Sequence, residues 1–186
     1  MRKDHSSLLA RFITQLTLAA RKGVILDLAC GSGRNGLYLV EQDIPVVFAD
    51  INPEALAGIE HSLGSEGYSG SEKSATLWAV NFEDQQGDPF HGRRFGGVIV
   101  YRYLHRPLFE WMKQSVYPGG IVIYETFTVD QPQYGRPSNP DFLLEHGELE
   151  AHFCDWNIVH SFEGVVNNSS GEGSQAIAQI VAIKDS

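Results

Sequence analysis

The chain has 186 residues, is 42% hydrophobic and carries a formal net charge of −9. That length suits one domain with a real core and excludes a disordered chain. No apolar run reaches the roughly 18 to 20 residues that span a bilayer, and the acidic balance argues against holding long nucleic acid by charge alone, which needs a basic face. The opening MRKDHSSLLARF lacks the continuous apolar stretch of a secretory leader. Two cysteines, Cys30 and Cys154, can build neither a disulfide framework nor a four-cysteine zinc site, and no histidine spacing suggests a metal. A cytoplasmic protein without a metal is the expectation. Residues 1–22 read as an N-terminal helical segment, one helix over SLLARFITQLTLAA that could act as a lid. Residues 23–186 read as the main domain. Residues 23–29 (GVILDLA) and 45–49 (PVVFA) are short apolar runs suited to strands buried on both faces. A helix is predicted over 34–42 between them. Asn52 as N-cap, Pro53 at the first position and Glu54 near the positive end predict another helix, with Leu56, Ile59 and Leu63 on one face. The polar stretch 64–74 reads as a mobile connection. Strands are predicted over 75–80, 97–101 and 120–125. Leu104, Leu108, Trp111 and Met112 mark a helix face between the last two. A long irregular stretch covers 129–146, and two final strands cover 156–162 and 176–183. This alternation predicts an α/β fold with a parallel sheet covered by helices on both faces and an antiparallel edge.

The sequence Gly31-Ser-Gly33-Arg-Asn-Gly36 is G-x-G-x-x-G, a weak signal alone. Here it follows a predicted strand and opens a predicted helix, where glycines let a ligand approach main-chain N–H groups. Asp50 ends the next strand, 19 positions beyond Gly31, and could accept hydrogen bonds from both hydroxyls of a ribose. The ligand could be a dinucleotide or S-adenosylmethionine. Asp27, inside an apolar strand before the loop, needs a donor or cation to offset burial. The amino group and sulfonium of S-adenosylmethionine would meet that need; a pyrophosphate would not. The chain is also short for a dehydrogenase, and its closing pair of strands is unlike a dinucleotide-binding sheet.

Asp27-Leu-Ala-Cys-Gly31-Ser-Gly33, Asp50 and Pro118-Gly119-Gly120 resemble class I S-adenosylmethionine-dependent methyltransferases. The segment 33–39 (GRNGLYL) resembles the tellurite-resistance type. The segments 101–109 (YRYLHRPLF) and 124–149 instead resemble bacterial methyltransferase-domain proteins of poorly defined substrate. The resemblance implies a Rossmann-like, doubly wound seven-stranded sheet with a reversed last strand. It also implies a cofactor site on Asp27, Gly31, Gly33, Arg34, Gly36, Asp50 and Ile51, with Ile51 against adenine, and on Asn81, Phe82 and Tyr101. Asn81 stands where the family has an aspartate for the adenine amino group.

Ligands of open α/β sheets bind outside the carboxyl ends of the strands. Clusters after the fourth and fifth strands, and the 129–146 loop, are sent there. His105, Glu125 and Tyr103 are the candidates for catalysis, with His105 or a buried Glu125 as a base. Arg106, Tyr134 and Arg136 are the candidates for substrate contact. The leading expectation is methyl transfer to a small molecule by in-line displacement, by a monomer or homodimer with no membrane partner. Arginines at the mouth would suit an anionic acceptor. RNA methylation, and non-catalytic S-adenosylmethionine binding by a regulator, are the alternatives.

Overall fold

The computed structural model describes residues 5–65, 74–84, 87–167 and 173–185. Most of the polar connection at 64–74 lies outside them. Seven strands form one sheet in the order β3-β2-β1-β4-β5-β7-β6. They are β1 (Ile25–Leu28), β2 (Val46–Asp50), β3 (Ala75–Ala79), β4 (Phe95–Tyr101), β5 (Val116–Phe127), β6 (Asn157–Asn167) and β7 (Ser174–Ile183). β1 lies between β2 and β4, with Asp27 level with Phe48 and Ile99, and these pairings are parallel. β7 runs antiparallel between β5 and β6. β1, β2 and most of β4 are buried on both faces, as their unbroken apolar sequences require.

Among the described residues, six α-helices cover the sheet: α1 (Ser7–Arg11), α2 (Ile13–Ala20), α3 (Arg34–Glu41), α4 (Pro53–Leu63), α5 (Leu108–Ser115) and α6 (Glu148–His152). The crossovers β1-α3-β2 and β2-α4-β3 step outward in one direction, so right-handedness sets α3 and α4 on one face. β4-α5-β5 steps the other way and places α5 opposite. Leu9, Leu16, Leu39, Ile59 and Phe48 share the first core, and Phe109, Met112, Leu149, Phe153 and Ile180 the second.

The single N-terminal helix expected from the sequence is two. Phe12 leaves helical geometry at φ −108°, ψ 21° and is buried. The turn lets Leu8, Leu9, Phe12 and Leu16 all reach one core. β5 is twice the expected length, because its start and its end at Phe127 both stay extended and pair with neighbours. Trp111 is more than a third exposed where a packed face was expected. Between β3 and β4 the described residues form no helix. Trp78, Phe82, Phe90 and Phe95 make a chain of edge contacts there instead. Among the described residues, no helix is long and apolar enough to cross a membrane.

Candidate active site

The turn between β1 and α3 is built for close approach. Gly31 has φ +53°, and a Cβ placed on it would meet nothing within 4 Å, so its outer side is open. Gly33 caps α3 in the left-handed region at φ +71°, where an added Cβ would lie 2.6 Å from Ile59. Gly36 serves packing: a Cβ there would lie 2.3 Å from Phe48 and 2.7 Å from Asp27 Oδ2. Asp50 ties this turn to the end of β2. Gly31 N–H donates to its Oδ2 (2.7 Å) and Asn52 N–H to its Oδ1 (2.8 Å). Each oxygen keeps a second lone pair for a ligand. Asn52 caps α4 through Glu54 N–H (2.9 Å), with Pro53 next, as the sequence indicates. Ile51 is 63% exposed beside them, an apolar side chain at the mouth of a polar cleft.

Asp27 is buried and accepts a hydrogen bond from Gly36 N–H (3.0 Å). Burial pushes its carboxyl up to about 8 and nearby Asp50 adds to this; the Gly36 bond and Arg34 oppose the rise. The site therefore holds a carboxyl that a cation would ionise. Cys30 lies in the same turn, and burial pushes its thiol up as well, which suits packing and not nucleophilic attack.

A cavity of about 280 Å³ opens beside the turn, lined by Ser6, Arg34, Arg102, Glu125, Gln175 and Gln179 among others. The chain start closes one wall: Ser6 N–H donates to Asn35 Oδ1 (2.9 Å), and His5 stacks on Tyr38 with ring centroids 3.6 Å apart. At the end of β4, Tyr101 and Arg102 each bury a polar atom without a hydrogen-bond partner, Oη and Nη1. Ser6 approaches the phenol without meeting hydrogen-bond geometry, and burial pushes the Tyr101 pKa up. The rest of the Arg102 guanidinium is engaged. Its Nη2 lies 3.0 Å from Glu125 Oε1, and its centre lies 4.4 Å from the Phe127 ring centroid. Burial lowers the Arg102 pKa and Glu125 opposes this; a guanidinium so paired stays charged. Glu125 Oε2 accepts a further hydrogen bond from Gln179 Nε2 (2.6 Å).

The single mouth expected from the sequence is divided. Arg102 and Glu125 line the cavity above, and Tyr101 is buried next to Arg102 in the chain. His105 lines a separate cavity of about 180 Å³ with Asp84, Pro107 and Trp111. The Tyr103 phenol donates to Glu83 Oε1 (3.3 Å), and burial and Glu83 raise its pKa. Arg106, expected at the substrate, clamps the fold instead. Its Nε and Nη2 meet both oxygens of Glu148 (2.7 and 2.9 Å), and Nη2 also donates to Leu143 O (2.8 Å). Tyr134 and Arg136 are exposed on the 129–146 loop and are not among the residues lining either cavity. That loop is anchored: Gln131 accepts from Ala176 N–H (2.8 Å) and donates to Arg136 O (3.1 Å), and Val129 N–H reaches Leu144 O (2.9 Å). Asn81 turns its side-chain oxygen to Glu83 N–H (3.0 Å). Phe82 packs between Trp78 and Phe90 and also lines the cavity that holds His105. Ser6 and Gln179 were not foreseen, since only strand pairing and the fold of the chain start bring them here. Among the described residues, no group of three or more His, Cys, Asp and Glu side chains could hold a metal ion.

The family model of the tellurite resistance protein TehB matches residues 13–176. A probable S-adenosyl-L-methionine-dependent methyltransferase, TehB of Haemophilus influenzae, is 24% identical over 147 residues, covering 76% of this chain and 48% of that protein. The chain thus spans about half the length of this curated relative. The crystal structure of TehB from Haemophilus influenzae superimposes with a TM-score of 0.68 at 20% identity, over 92% of this chain and 62% of that one. A structure of an S-adenosylmethionine-dependent methyltransferase from Methanosarcina mazei gives a TM-score of 0.70 at 17% identity, over 98% and 99%. At such identities the structures show a shared fold. The glycine turn, Asp50, the β4 and β5 ends and the anchored loop all fall inside the family match, and the chain belongs to the TehB family.

Proposed function

We propose that the protein is a methyltransferase that binds S-adenosyl-L-methionine along the β1 and β2 ends and methylates a small anionic acceptor in the Arg102 cavity. Asp27 carries this reading. A buried carboxyl beside an open glycine turn favours a ligand with a cationic end and disfavours a pyrophosphate. Asp50 would take the ribose hydroxyls, Ile51 the adenine face, and Asp27 with Arg34 and Tyr101 the amino-acid end. When bound, the cofactor supplies a methyl group activated by its sulfonium. The names of the Haemophilus and Methanosarcina relatives support the same assignment.

The residues act by alignment and exclusion of water. Arg102, in the cavity wall, keeps a buried Nη1 without a hydrogen-bond partner and so a donor for an anion. Glu125 serves as counter-ion to Arg102, since both its oxygens are engaged, and the base role first assigned to it is dropped. His105 and Tyr103 stand apart from that cavity and are likewise not assigned to proton transfer. His5 to Ser7 close the acceptor side, while Leu8, Leu9, Phe12, Leu16 and Ala19 belong to the core. The two free cysteines fit a reducing cytoplasm, and the reading takes a monomer or homodimer.

Calorimetry with S-adenosylhomocysteine, its demethylated product, and with NAD tests the first half. Binding of the former alone is expected, and the reverse overturns the assignment. Labelled-methyl transfer to tellurite, small thiols and small carboxylates tests the second half. Tight, salt-sensitive shifts of total tRNA would move the acceptor to RNA. Cofactor binding with no acceptor in any cell extract would make the chain a non-catalytic binder.

A further inference from the structure

We infer that Gln179 and His160 are positioning residues, which fix the orientation of Arg102 in the cavity wall through Glu125. The inference deepens the acceptor reading and rests on it for its meaning. Three polar contacts cross four strands. Arg102 Nη2 meets Glu125 Oε1 (3.0 Å), Gln179 Nε2 donates to Glu125 Oε2 (2.6 Å), and Gln179 Oε1 lies 3.1 Å from His160 Nε2. Strand register makes this row. Tyr101 pairs with Glu125, Glu125 with Gln179, and His160 with Val181, two residues along the same face of β7.

The row has a direction. Gln179 spends its amide N–H on a carboxylate, so its carbonyl oxygen must face the imidazole, and His160 must carry its proton on Nε2. The ring is seated near Phe12, with centroids 5.7 Å apart. With the amide locked, Glu125 has a donor on each oxygen and cannot turn away from Arg102. The guanidinium, resting on Phe127, is then restrained about its Nε–Cζ bond in the cavity wall, with Nη1 left buried and without a hydrogen-bond partner. A buried ion pair of this kind stabilises the fold weakly, so a role in aiming a charge is the better account of a polar row across a sheet.

The test uses the full chain with the substitutions His160→Phe, His160→Gln and Gln179→Leu, and reads Arg102 side-chain signals by proton–nitrogen NMR. Restraint in the wild type gives separately resolved Nη protons. His160→Phe keeps the ring and removes the donor, and Gln179→Leu removes the amide; both should merge those signals. His160→Gln restores a donor and should keep them apart. Where tellurite is turned over, the first and third variants should raise its KM by roughly tenfold with kcat little changed. S-adenosylhomocysteine affinity should not move in any of them. Unchanged Arg102 signals in both His160→Phe and Gln179→Leu would overturn the inference. Failure of the wild type to bind S-adenosylhomocysteine would instead sink the cofactor reading, and the Arg102 signals would still decide this one.

Discussion

Asp27 puts a titration within the working range of the protein. Its carboxyl is raised from an ordinary 3.8 to about 8 by burial. Because the folded value is the higher one, its contribution to stability is complete below about 4 and is lost as pH rises through about 8. The melting temperature should therefore fall over that interval, and Asp27→Asn should flatten the slope. A ligand with an ammonium group needs the ionised form. Affinity for S-adenosylhomocysteine should climb by up to about tenfold per pH unit below 8, with release of a proton, and calorimetry in buffers of different ionisation heat would show it. Affinity that ignores pH would place the ammonium elsewhere. Asp50 has the simpler role of an acceptor. Asp50→Ala removes a carboxylate from the proposed ribose site and also frees Gly31 and Asn52 N–H. It should weaken cofactor binding by about 1.5 to 3 kcal/mol, the range for hydrogen bonds to charged groups.

Two pairs of elements deserve separate tests. α3 sits on β2 only because position 36 has no side chain. Gly36→Ala would push a methyl into Phe48 and Asp27, and overpacking of this kind costs about 1 to 3 kcal/mol in urea unfolding. The 129–146 loop is held to the approach of α5 and the start of α6 by Arg106. Arg106→Ala should speed hydrogen exchange in that loop about fivefold, the equivalent of about 1 kcal/mol, with little change in the strands. Uniform exchange across the chain would mean that the clamp holds more than the loop. The same residue shows where sequence reasoning stops. Its charge and position beside His105 suggested a substrate contact. What cancels it is the approach of Glu148, 42 residues away, which no local pattern records.

Across the molecule, the parts legible in the sequence are those fixed by local rules. Unbroken apolar runs gave the inner strands, Asn52-Pro53 gave the start of α4, and the turn at 31–36 with Asp50 gave the geometry on which the cofactor proposal rests. The antiparallel edge came from the closing pair of strands with no helix between them, and the count of seven strands came by resemblance. Contacts made by register were hidden: Glu125 and Gln179 meet only once β7 is inserted between β5 and β6. The break at Phe12 was hidden too, because its apolar spacing suits one helix or two.

The left-handed backbone at Arg102 (φ +60°) has a cost. A side chain in that region gives up about 1 to 2 kcal/mol, which glycine would not. Arg102→Gly alone would strand Glu125 without its cation. Joined to Glu125→Gln, it should melt a few degrees above the wild type, the shift expected for about 1 kcal/mol in a chain of this size, while transferring no methyl group. The sturdiest form of this strand end and the working form would then be different sequences, with durability surrendered at the point where charge meets the acceptor.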